Sequence, residues 1–158
     1  MRDRVDKILQ YILVTLMAIN VLDVLWGVFT RYVMGAQSSW TEELARFLLI
    51  WIGILGAAWA SGQNMHLSID LFPNTLNPAR RRNLYKIIDV IIILFALSVM
   101  VIGGARLVYV TYILGQISAA LQLPLAVVYV VVPVSGFLVM YYKAHDFFQA
   151  YESDSIVS

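Results

Sequence analysis

The stretch Trp40 to Phe72, WTEELARFLLIWIGILGAAWASGQNMHLSIDLF, decides the fold. Glu42, Glu43 and Arg46 sit about one turn apart at a helix start. They run directly into an apolar segment, Phe47 to Ala60, broken only by glycines. Charges at the lip of a hydrocarbon-spanning helix are costly and usually face protein or water, so they tend to mark where something binds. Ser39 or Thr41 can cap this helix, the two glutamates suit its positive N-terminal end, and Glu42 can pair with Arg46 at i and i+4. Those local roles compete with an interface role for the same residues. Trp40, Trp51 and Trp59 add a large aromatic surface. Gly53 with Ala57, and Gly56 with Ala60, have the small-residue spacing that lets another helix approach closely in lipid. Trp40, Glu42, Glu43, Arg46, Trp51, Gly53, Gly56 and Ala57 are therefore the candidate structural or partner-interface residues.

Composition agrees with a membrane reading. The 158 residues are 61% hydrophobic and 13% charged, against about 25% charged in an ordinary soluble domain. Mean hydropathy is +0.78. A formal net charge of +1 and the lack of a long basic tract give no nucleic-acid signal. The chain has no cysteine, which excludes disulfides, thiolate nucleophiles and thiolate metal sites.

Ile8 to Phe29 is the first span; 22 residues at about 1.5 Å each cover about 33 Å, against a hydrocarbon core of about 30 Å. Its length, its Asn20 and Asp23, and the lack of a small-x-small cleavage site read as a crossing helix rather than a signal peptide. Asn20 and Asp23 share a face, which reads as a polar face turned into the bundle; a single carboxylate makes a poor cation cage. The second span is 43–61. Met65, Leu67, Ile69 and Leu71 then alternate with polar residues, as expected of a short segment along the membrane surface. Asn77-Pro78 reads as an N-cap with proline in the first turn. The third span is 84–105, with Asp89 expected to pair with Lys86 or Arg82. Gly103-Gly104 is expected to loosen it, and Leu107 to Gly115 either projects past the bilayer or bends along its surface. The fourth span is 123–142, where Pro133 is expected to kink the helix.

The expectation is one all-α domain of four transmembrane helices with short membrane-surface segments. Arg2, Arg4, Lys7, Arg80, Arg81, Arg82, Lys86 and Lys143 fall on one side, and Arg31, Arg46 and Arg106 on the other. The positive-inside rule then places both termini in the cytoplasm. Arg80, Arg81 and Arg82 are a topology signal that can also meet anionic lipid. No nucleotide-binding loop, catalytic triad or metal-ligand spacing is present, so no catalytic, cofactor or metal residue is assigned. His66 and His145 would come to similar depth and could ligate a haem, but both lie outside the apolar runs. A haem-bearing or structural membrane anchor of a redox enzyme is the alternative function. A self-assembling exporter using Glu42 or Glu43 as proton carrier is weaker, because both sit at a helix start. Pro133 is the one mid-membrane breaker, which is too little for a complete secondary transporter.

Several fragments together resemble the small membrane subunit, the DctQ-type or Q subunit, of tripartite ATP-independent periplasmic (TRAP) transporters. They are Arg31-Tyr32, Trp40-x-Glu42-Glu43-x-x-Arg46, Trp51, Gly56-Ala57, His66-Leu67-Ser68-Ile69-Asp70, Arg80-Arg81 and Ser118 to Pro124 leading to Tyr129, Pro133 and Gly136. Ala119 stands where the family often has proline. The resemblance implies an accessory scaffold in the bacterial inner membrane, serving a sodium-coupled importer of organic acids of the C4-dicarboxylate or sialic-acid class. It implies a large membrane subunit as partner, which carries the sodium and substrate sites, and a periplasmic substrate-binding protein that docks on the assembly. Trp and Tyr belts at both lips suit a part that stays fixed in depth and tilt.

Overall fold

Four helices long and apolar enough to cross a membrane organise the computed structural model, which describes residues 2–36, 38–63 and 78–155. In chain order they are α1 (Arg2–Val33), α2 (Ser39–Gly62), a third rod made of α3 (Pro78–Phe95), a π-helical stretch (Ala96–Gly103) and α4 (Gly104–Ile113), then α5 (Leu125–Tyr129) and α6 (Val131–Ser155). No strand occurs among the described residues; Ile117 and Pro124 form one isolated antiparallel bridge.

The rods alternate in direction, so the bundle has two ends. One, the loop end, carries the α1–α2 link and the connection between α4 and α5. The other, the terminal end, joins the start of α1 to the end of α2 and to α6. There the Arg2 guanidinium donates to the Gly62 carbonyl and lies 5.9 Å from the Tyr142 ring centre. The Tyr142 hydroxyl donates to Asp6 at 2.5 Å. Both ends of the described chain thus share one side of the bundle.

Packing is concentrated on α6, which touches α2, α3 and the π-helical stretch. One apolar cluster joins Leu9, Leu55, Val131 and Tyr142; a second joins Ala58, Ala96 and Val139. The close approaches are made at glycine. A Cβ on Gly62 would lie 2.6–2.8 Å from the Tyr142 ring, one on Gly104 would meet Val132 and Pro133, and one on Gly136 would meet Met100 and Val101. α1 packs on α2.

Several expectations are corrected here. Neither Ser39 nor Thr41 caps α2: Ser38 is the N-cap, it makes no side-chain capping bond, and the Thr41 hydroxyl donates back to the Ser38 carbonyl at 2.7 Å. Asp89 pairs with Lys143 at 3.2 Å, a partner the sequence reading did not name; the side chains of Lys86 and Arg82, the expected partners, lie outside the described residues. Tertiary packing brings the middle of α3 against the middle of α6, and Lys143, read as the beginning of a polar tail, is 5% exposed. Leu107 to Ile113 does not bend along a surface but continues the third rod, whose membrane-length part, Ile87–Ile113, has 27 residues and spans about 40 Å at the helical rise. Gly104 serves as a contact surface for α6. Pro133 has no N–H to give, and the helical pattern is disturbed at Val130 one turn before it; Val130 keeps a helical backbone (φ −55, ψ −28) and its N–H still reaches the Ala126 carbonyl, so Leu125–His145 remains one membrane-length helix. The expected surface segment, with His66 and Asn77, lies outside the described residues.

Candidate functional site

The acidic start of α2 meets the connection between α4 and α5. That connection is folded tightly. Gly115, at φ +59, ends α4; its N–H bonds to the Tyr112 carbonyl and the Gln116 N–H to the Thr111 carbonyl, the paired closure that releases a helix into a turn. Ser118 and Leu123 are bonded through both main chain and side chain: the Ser118 N–H reaches the Leu123 carbonyl at 2.9 Å, and the Leu123 N–H reaches the Ser118 hydroxyl at 3.2 Å. The Leu125 N–H bonds to the Gln116 carbonyl at 3.0 Å. Between these ties the N–H groups of Ala119, Ala120 and Leu121 point at one place.

Glu43 fills it. One carboxylate oxygen accepts the Ala119 N–H at 3.1 Å; the other accepts Ala120 and Leu121, both at 2.8 Å. Three amides converging on a carboxylate form a small anion nest, and such charge-assisted bonds are stronger than neutral ones. The clasp joins the second span to the connection before the fourth. Trp51, two turns further along α2, adds a second tie: its indole N–H donates to the Val128 carbonyl at 3.1 Å.

The other candidate residues separate from Glu43. Trp40, Glu42 and Arg46 are exposed. Gly53 and Gly56 have nothing within 4 Å of an added Cβ, and Ala57 is exposed. The small-residue face of α2 is therefore unused in packing among the described residues, which relies instead on Gly62, Gly104 and Gly136. Asn20 does face the bundle, donating to the Ala45 carbonyl at 3.1 Å; Asp23 is buried on the same side with no hydrogen-bond partner among the described residues. Side chains at Arg80 to Arg82 lie outside the description, as does His66. His145 sits in α6, 6.5 Å from the Tyr141 ring. Among the described residues no three His, Asp or Glu side chains converge as metal ligands.

Sequence reading missed Ala119, Ala120 and Leu121 as the partners of Glu43. Their signal was available only in outline: a short turn-forming connection, from Gly115 to Pro124, at the same end as an acidic helix start.

The arrangement ties helices together and offers an uncovered face; its chemistry is that of an interacting part. Comparison with known proteins agrees. Residues 20–152 match the family model described as tripartite ATP-independent periplasmic transporters, DctQ component. The chain is 28% identical over 103 residues to the sialic acid TRAP transporter small permease protein SiaQ of Vibrio cholerae, covering 65% of this chain and 60% of that one. It is 27% identical over 100 residues to the C4-dicarboxylate TRAP transporter small permease protein DctQ of the same organism, covering 63% and 42%. It is 36% identical over 102 residues to the isethionate TRAP transporter permease protein DctMQ of Oleidesulfovibrio alaskensis, covering 64% of this chain and 16% of that one. The matched region thus spans less than two thirds of each of these relatives.

Proposed function

Because the chain belongs to the DctQ component family of the tripartite ATP-independent periplasmic transporters, we propose that it is the static small subunit of a sodium-coupled organic-acid importer. It is a multi-pass protein of the inner membrane. The uncovered face of α2 at Gly53, Gly56 and Ala57 carries the proposal. Small residues on a membrane helix are used where another helix comes close, and the described residues of this chain do not use them. We assign that face, with the exposed Trp40 and Arg46, to the large membrane subunit. The match to a short part of a longer permease protein supports such a partner.

Sodium and substrate belong in this reading to the large subunit, and no cofactor is assigned to this chain. The names of the relatives support sialic acid or C4-dicarboxylate as substrate classes. A periplasmic binding protein would dock on the loop end, with both termini in the cytoplasm.

Affinity purification of the chain from native membranes in mild detergent, followed by mass spectrometry, tests the assignment. A large polytopic protein recovered in near-equal amount is expected. Gly53→Leu should deplete it while leaving the small subunit folded. Recovery of the chain alone, or with soluble redox subunits, would refute the scaffold reading.

A further inference from the structure

α1 and α6 are pinned at the terminal end by the hydrogen bond from Tyr142 to Asp6. Further along, α1 stays on α2, and a cleft of about 320 Å³ opens between α1, α2 and α6. Ile8 and Ile12 form one wall, Trp51 and Leu55 the floor, and Val134 and Leu138 the opposite wall. No polar atom faces it: the Trp51 indole N–H is spent on the Val128 carbonyl. Water has no partner there, and an apolar cavity of about 150 Å³ is known to take up benzene, so this one has room for on the order of a dozen carbon atoms. A cleft open to hydrocarbon does not stay empty, because its lining would forfeit dispersion contacts. A helix about 10–12 Å across needs roughly 400 Å³ for a single turn, which is more than the cleft provides.

We propose that this cleft holds one acyl chain of a glycerophospholipid, with the phosphate of that lipid at Arg4. Arg4 is exposed and lies one turn before Ile8 on the same side of α1. On α6 the line Val134, Leu138 continues by helical spacing to Tyr141, which is 37% exposed. A cation and a phenol above a purely apolar slot match a phosphate above a hydrocarbon tail. The lipid would then act as a filler between α1 and α6, which make little contact of their own.

The test uses phosphatidylglycerol carrying a photoactivatable diazirine in one acyl chain, in nanodiscs holding the full chain, alone and as its purified membrane complex. Adducts should concentrate on the Ile8–Ile12 and Val134–Leu138 peptides, in excess over the equally exposed Ile91–Phe95 surface, in both samples. Val134→Trp should remove the excess, and Leu94→Trp should leave it. Arg4→Gln should lower labelling by this probe but not by a diacylglycerol probe of the same chain length. Uniform labelling of all lipid-facing helices in the wild type would overturn the proposal without any variant. So would loss of cleft labelling in the complex alone, since side chains of the large subunit would then be the occupant. The isolated-chain sample does not depend on the scaffold role, so the two readings can fail separately.

Discussion

At the scale of single residues, the two charged side chains with the clearest roles are Glu43 and Lys143. Glu43 accepts three N–H bonds from one turn of backbone. Glu43→Ala leaves those amides without their acceptor. Hydrogen exchange at Ala119, Ala120 and Leu121 should quicken markedly, and Glu43→Gln should fall between, because an amide offers one acceptor oxygen without charge. Unchanged exchange at those three amides would mean the clasp is not formed in the membrane. Lys143 and Asp89 make a largely buried pair at 3.2 Å. Removing one partner of a buried pair leaves an uncompensated charge, so Lys143→Met should cost about 3 kcal/mol, the lower end of the range because Asp89 keeps some solvent contact. Adding Asp89→Leu should recover much of the loss. Thermal unfolding in detergent measures both variants. The partner of Asp89 could not be read from the chain, since nearby basic residues compete with a distant one that only folding brings close.

At the scale of elements, helix existence was legible and helix contact was not. All four spans follow from largely apolar runs of about the length that crosses the hydrocarbon core. Pro133 predicted a disturbance in the fourth, and the helical pattern is disturbed at Val130 while the span stays continuous. The glycines were harder to read. Gly53 and Gly56 have textual spacing for close packing, yet Gly62, Gly104 and Gly136 carry it within this chain. The spacing marks a permissive face but not its occupant. Gly62→Val would drive a side chain into the Tyr142 ring and should cost about 1–3 kcal/mol as overpacking. Gly53→Ala has open space and should change the stability of the isolated chain by less than about 0.5 kcal/mol, apart from a helix-propensity gain. A thermal shift of equal size for both would contradict the assignment of contacts.

At the scale of the whole molecule, the scaffold reading predicts a division of effects. Arg46→Ala leaves the clasp and the buried pair intact, so the chain should insert and fold normally. Uptake and recovery of the large subunit should nevertheless fall, as read by transport assay and co-purification; wild-type values for both would remove Arg46 from the interface. By itself the sequence determined the membrane class, the four crossings and the family resemblance. These rest on hydrophobic length, local turn chemistry and motif order, all of which act over neighbouring residues. Only the tertiary structure decided that Glu43 closes on Ala119 to Leu121, that Lys143 meets Asp89, and which glycines are pressed against neighbours. Those contacts join residues up to 80 positions apart, Gly62 and Tyr142, and their choice depends on how the rods rotate and tilt against one another, which hydrophobicity along the chain does not specify.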